Sequence, residues 1–177
     1  MNNDRDSISS HADGFTIRSH WFIPVPRSSV YAVASDFEHF AQHFPRIAHS
    51  TQVVSRVRDR LVVEAQAASF GKFFPRARVI INAELLPGVG YRCSTLNHTF
   101  NTAGAEELIL SDTAGGTDIT YSYTVTVGHK FFRPLYAWLV RRIALPYWKR
   151  SYLEPLTVLS REHEGAARDR APSSGGG

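Results

Sequence analysis

A single cysteine, Cys93, in 177 residues has no intramolecular partner, so a disulfide-stapled scaffold is excluded. Long apolar runs are also missing. No window of about 18 apolar residues occurs, because Arg133, Arg141 and Arg142 interrupt the nearest approach, residues 131–148. The amino terminus lacks a basic segment followed by an apolar stretch, so no secretion signal is expected and a cytoplasmic location is. Without secretion, the sequon at Asn97-His98-Thr99 is formal only. There is no phosphate-binding glycine loop, dinucleotide fingerprint, nucleophile elbow or paired-cysteine metal spacing, so no cofactor is expected. Neither an internal repeat nor a strand–helix alternation is present, which argues against a parallel sheet.

What remains is a globular composition, 43% hydrophobic and 12% aromatic, too apolar for a disordered chain. Residues 1–13 are polar without an apolar pattern and are expected to be a disordered tail. Residues 165–177, rich in glycine, serine and alanine, are expected to be a second flexible tail. One domain is expected between them, over 14–164. The net charge of +4 is unevenly placed: Lys130, Arg133, Arg141, Arg142, Lys149 and Arg150 lie between Ile119 and Leu153, where there is no acid. The basic character therefore belongs to the closing helix and its approach.

Alternation sets the elements. Phe15, Ile17, Trp21, Ile23 and Val25 share one face of a first strand, which Pro24 and Pro26 punctuate. Residues 26–29 open a helix whose stripe is Val30, Val33 and Ala34; Ser35 or Asp36 caps a second short helix, Phe37–Phe44, ended by Pro45. Strands then follow one another. Leu61, Val63, Ala65 and Ala67 share a face, as do Ala77, Val79, Ile81, Ala83 and Leu85, then Tyr91, Cys93, Thr95 and Asn97, then Ile119, Tyr121, Tyr123 and Val125. Phe73 and Phe74 sit in a loop at 71–75, and Pro87-Gly88 marks a turn. The chain ends in a long helix with the stripe Leu145, Trp148, Tyr152, Leu156 and Leu159, in which Pro146 and Pro155 threaten a kink and 134–144 forms a separate segment. The expected class is α+β: a curved antiparallel sheet of about seven strands, two short helices after strand one, and a long C-terminal helix gripping the sheet.

This order is the helix-grip pattern, and the chain resembles the SRPBCC superfamily of START lipid-transfer domains, polyketide cyclases and dehydrases, plant-allergen-like proteins and coenzyme Q-binding proteins. The likeness is strongest over 23–40, where an apolar strand and a proline precede a Val-aromatic-x-Val helix, Val30-Tyr31-Ala32-Val33, then Asp36 and an aromatic-rich second helix before Pro45. The resemblance implies an internal apolar cavity between sheet and final helix, and a function of binding or carrying a lipid, isoprenoid quinone or polyketide-like molecule. The alternative it implies is a cyclase/dehydrase-type enzyme, for which no acid–base pair stands out in the sequence.

The expected cavity lining is Leu61, Val63, Ala65, Val79, Ile81, Ala83, Cys93, Thr95, Asn97, Tyr121, Tyr123, Val125, Trp148 and Tyr152. Small residues there leave room, and the tyrosines give an apolar wall with a polar tip. Cys93 is expected to be a buried, inert thiol. His39 and His43, four apart, share a helix face, but without a third ligand they are expected to be solvated and no metal is assigned. The basic aromatic stretch offers an anionic membrane surface a contact through Arg141, Arg142, Lys149 and Arg150, while its prolines disfavour nucleic-acid recognition.

Overall fold

Alternating residues build a single antiparallel sheet in the structure, a computed structural model that describes residues 5–11, 13–67, 76–127, 138, 142 and 145–170. Its strands are β1 (Arg5–His11), β2 (Gly14–Ile23), β3 (Ala48–Val57), β4 (Arg60–Ala67), β5 (Arg78–Leu86), β6 (Gly90–Asn97), β7 (Thr102–Thr113) and β8 (Gly116–Val127). They lie in the order β1-β2-β8-β7-β6-β5-β4-β3. Strands β3 to β8 follow as a meander, and β2 adds to β8. The helices α1 (Arg27–Ala34) and α2 (Phe40–His43) carry the chain from β2 to β3, at the far edge of the sheet.

Period-two side chains on paired strands form rows across the inner face. One row runs Leu61, Ala83, Cys93, Glu106, Tyr123, Ile17; its neighbour runs Leu85, Tyr91, Leu108, Tyr121. The inner face packs on α1, which buries Val30, Val33 and Ala34, and on the C-terminal helix, which buries Tyr152 and Leu156. Between β2 and α1 the two prolines remove backbone donors. Thr117 compensates from β8: its hydroxyl donates to the Val25 carbonyl at 2.6 Å, fully buried.

The C-terminal helix begins as α3 (Leu145–Trp148), widens into a π-helical stretch (Lys149–Leu153) and continues as α4 (Glu154–Arg170). Pro155 explains the widening. It has no N–H for the Ser151 carbonyl, and the Glu154 N–H donates instead to the Lys149 carbonyl, five residues back. The expected kink at Pro155 is thus absorbed by one wide turn, which leaves Tyr152 pointing into the core.

Three expectations need correction. Residues 5–11, expected in a tail, form β1 and pair with β2 from Arg5–His20 to His11–Gly14. An edge strand with one exposed side needs no apolar alternation, and only Ile8, opposite Ile17, carries any. The final helix does not stop before Gly165 but runs to Arg170, with Arg168 donating to Glu164 one turn back across the glycine. The second short helix is a single turn, Phe40–His43, not Phe37–Phe44. The helix expected over 134–144 and the Phe73–Phe74 loop lie outside the described residues, apart from Trp138 and Arg142, both exposed. Among the described residues, no helix is long and apolar enough to cross a membrane.

Thr117→Val keeps the shape of the side chain but strips the donor from a buried carbonyl. It is expected to cost about 1–3 kcal/mol, read as a lower midpoint with unchanged slope in urea unfolding.

Candidate functional site

Small residues on the inner face leave a hollow of about 400 Å³ between the sheet, the α1–α2 connection and α3. Ala48, Ala65 and Ala67 wall one side, and Tyr91, Tyr121, Tyr123 and Trp148 the other. Gly104 contributes by absence. A Cβ there would lie 2.6 Å from Thr95 Oγ1 and 2.8 Å from the Tyr123 ring, so only glycine lets Tyr123 lie back across β7. Phe37 and Phe40 close the hollow from the helical side, and the Tyr147 hydroxyl donates to the Arg46 carbonyl at its rim.

Rings continue from the wall as a column. Trp21 stacks on Tyr121 (5.6 Å between centroids), Tyr121 on Trp148 (5.6 Å) and Trp148 on Tyr152 (5.0 Å). Tyr152 meets Phe44 at 4.6 Å, and Phe37 turns its ring edge-on to Tyr91 at 5.3 Å. Such pairs are directional, so they hold the wall in one arrangement.

At the floor lies Glu106. Tyr91 donates to its Oε1 at 2.7 Å, and the Cys93 thiol approaches Oε2 at 3.9 Å. The Tyr121 hydroxyl also bonds to it, and the Tyr152 hydroxyl lies 3.4 Å from that of Tyr91. Among the described residues no lysine or arginine pairs with this carboxyl. The residue is half-buried and lines the hollow. Loss of hydration pushes its pKa up, opposed by the hydrogen bonds from Tyr91, Cys93 and Tyr121, to about 7. Burial, followed by the nearby Glu106 charge, also raises the pKa of Tyr91 and Tyr121, so both stay neutral donors. Burial lifts Tyr123 to about 12, with a hydrogen bond from Thr95 opposing it. Cys93 is shifted up by burial and then by Glu106, so it is a thiol and not a nucleophile, as expected from the sequence.

Seven of the expected lining residues meet at this hollow: Ala65, Val79, Ile81, Cys93, Tyr121, Tyr123 and Trp148. Seven do not. Leu61, Val63 and Ala83 face inward but lie in the packed core, because the sheet is covered completely at that end. Tyr152 is fully buried behind Trp148. Thr95 serves Tyr123, and Val125 lies opposite Phe15 on the far side of Gly104. Asn97 is spent on a turn, accepting from the Thr99 and Phe100 N–H groups at 3.0 and 3.1 Å. Glu106, Phe37, Phe40, Arg46 and Tyr147 were not anticipated. A signal for Glu106 existed: it shares parity with Leu108 and Leu110. Ala105 and Ile109 on the other parity disguised it.

His39 and His43 are not simply solvated. The Asp36 carboxylate bridges them, at 2.9 Å from His39 Nδ1 and 3.2 Å from His43 Nε2, and all three ligand-capable atoms lie within 4.8 Å of one another. Burial lowers the pKa of His43, against the pull of Asp36. The cluster pins the Phe37–Phe40 segment through its hydrogen bonds. Of the four cations expected at a membrane surface, Arg142 and Arg150 are exposed, Arg141 lies outside the described residues, and Lys149 pairs with Asp6 of β1 at 2.6 Å.

No family model matches the sequence, and no curated protein does. Solved structures do match in fold. The Zhui aromatase/cyclase of Streptomyces sp. R1128 is 15% identical, with 89% of this chain and 97% of that one covered, at a TM-score of 0.64. A STAR-related lipid transfer protein from Xanthomonas axonopodis is 13% identical, with 88% and 98% covered, at 0.55. A protein of Thermus thermophilus is 21% identical, with 86% and 98% covered, at 0.63. The chain therefore has the helix-grip fold, as the resemblance in the sequence implied.

The pKa of Glu106 fixes the sign of a pH effect. Its folded value is raised from 4.5 to about 7, so the folded state holds the proton more tightly. Folding loses stability as pH climbs from 4.5 through 7, and the cost is complete above that window. Glu106→Gln is expected to flatten this slope and to stabilise the protein at pH 8 by about 2 kcal/mol, after allowing for hydration from the hollow. Urea unfolding at pH 5 and pH 8 measures both.

Proposed function

We propose that this chain binds an apolar, ring-bearing small molecule in the hollow beneath α3. The single observation that carries the reading is a cavity of about 400 Å³ walled by alanines and aromatics, with one carboxyl at its floor. That volume falls within the range of about 300–1,000 Å³ usual for small-molecule sites. Apolar area removed from water supplies the affinity, at about 25 cal/mol per Å² before ordering costs. The Tyr91, Tyr121 and Tyr123 hydroxyls and Glu106 orient whatever polar group the ligand carries. The names of the fold neighbours, a lipid transfer protein and an aromatase/cyclase, support ligands of this general kind. Lipids, isoprenoid quinones and polyketide-like molecules are the candidate classes.

Glu106 favours a second reading, catalysis in the same hollow. A carboxyl with a pKa near 7 both gives and takes protons at neutral pH, and tyrosine hydroxyls beside it stabilise a developing oxyanion. This is the arrangement a cyclase- or dehydratase-type proton transfer needs. The two readings divide on Glu106→Gln. An enzyme loses turnover by at least about a hundredfold on a substrate it still binds, whereas a carrier has no turnover to lose and responds in affinity alone.

Native mass spectrometry of freshly purified protein is expected to show a retained apolar molecule. Ala65→Phe fills the hollow and is expected to abolish retention while the protein keeps its circular dichroism. Retention undiminished by this filling would place the ligand elsewhere and overturn the reading.

A further inference from the structure

We infer that the ligand of this hollow carries a basic nitrogen, protonated when bound, that seats against Glu106 as an aryl- or alkyl-ammonium group. The inference rests on the pocket reading above and names its ligand class.

The reason is an imbalance of charge. Glu106 faces the hollow, and its described partners are all neutral donors: the Tyr91 hydroxyl at 2.7 Å, the Cys93 thiol and the Tyr121 hydroxyl. None brings positive charge. A neutral apolar ligand filling the hollow expels water from around this carboxyl, so the carboxyl must either take up a proton or stay ionised without a counter-ion. A carboxylic acid ligand sets a second anion against the first. A cation removes the penalty while the carboxyl stays ionised, because it turns an unpaired, half-buried acid into an ion pair held by additional hydrogen bonds.

The surroundings fit a cation in other ways. Tyr123 is the register partner of Glu106 on β8 and lines the hollow beside it. Its oxygen, like that of Tyr91, accepts a hydrogen bond from N–H. Both faces of Tyr121 and Trp148 are occupied within the ring column, whereas Tyr123, beside Glu106, offers a ring for face contact with a cation. The rest of the wall is alanine, valine, isoleucine and phenylalanine, which suits an apolar body attached to one charged end. Arg46, the cationic side chain among the described wall residues, stands at the rim with Tyr147, and no ion pair joins it to Glu106.

Three probes of one shape test this: 2-(2-naphthyl)ethylamine, 2-(2-naphthyl)ethanol and 2-naphthylacetic acid, titrated into the purified protein by calorimetry at pH 7.5. The amine is expected to bind at least about tenfold tighter than the alcohol, and the acid weakest. Glu106→Gln is expected to bring amine and alcohol to within about twofold. Ala65→Leu, which only narrows the hollow, is expected to weaken amine and alcohol alike. Amine and alcohol binding equally to the wild-type protein would overturn the ammonium inference and leave the pocket reading standing. Binding of none of the three would remove the pocket reading itself. An amine preference that survives Glu106→Gln in a folded variant would assign the cation to another group and sink the inference.

Discussion

Everything in this site follows from one carboxyl held away from water on the concave face of a sheet. Glu106 falls on the inner parity of β7 by the same register that turns Leu108 and Leu110 into the core. The sheet cannot move it outward without moving them, since a one-residue slip exchanges the two faces of the whole strand. The neighbours therefore adapt to the acid. Tyr91 and Tyr121 flank Leu108 on the adjacent strands, one inward position along, and both reach back to the carboxyl. Their hydroxyls replace part of the lost hydration and supply no charge.

The hollow above Glu106 is made by leaving atoms out. Three alanines and Gly104 withhold volume on the sheet side, and the column from Trp21 to Tyr152 prevents the opposite wall from collapsing inward. Interiors otherwise close to crystal-like packing, so a space of this size needs rigid walls. Several ties provide the rigidity: the Tyr147 bond to the Arg46 carbonyl, the Asp6–Lys149 ion pair between β1 and the final helix, and Asp36 across its two histidines. The π-helical stretch belongs with them. By yielding to Pro155 it sets Tyr152 against Trp148 without breaking the helix.

The sequence discloses the architecture better than the site. Among the described residues, alternation and turn residues mark seven of the eight strands, and β1 escapes because a polar edge strand has no apolar face to betray it. Inward parity is equally legible, and each residue expected on the inner face of β4, β5, β6 and β8 belongs to it. Parity says nothing about position along the strand. Leu61 and Ala65 share a face, yet one lies under packed side chains and the other at the hollow, since the covering helix and the α1–α2 connection come from distant sequence. Glu106 was missed for a related reason. An acid flanked by another acid on a strand reads as a solvated face, and both parities of β7 carry aliphatic residues.

A fold chosen for stability alone would not keep this acid. Glutamine at the same position would accept the Tyr91 hydrogen bond without the desolvation penalty, and leucine would extend the row of Leu108 and Leu110. Tuned pKa values and unpaired buried charge gather where a protein meets its ligand, because there the cost is recovered only in the complex. A group with a pKa near 7 that lacks a counter-ion is half of an interaction. No described residue of the wall forms an ion pair with it, and a proton-exchanging substrate or a protonated amine supplies the complement in different ways. The first needs Glu106 to change its protonation state during each event, and the second needs it to stay ionised throughout. That difference separates catalysis from binding at this site more sharply than the shape of the cavity does.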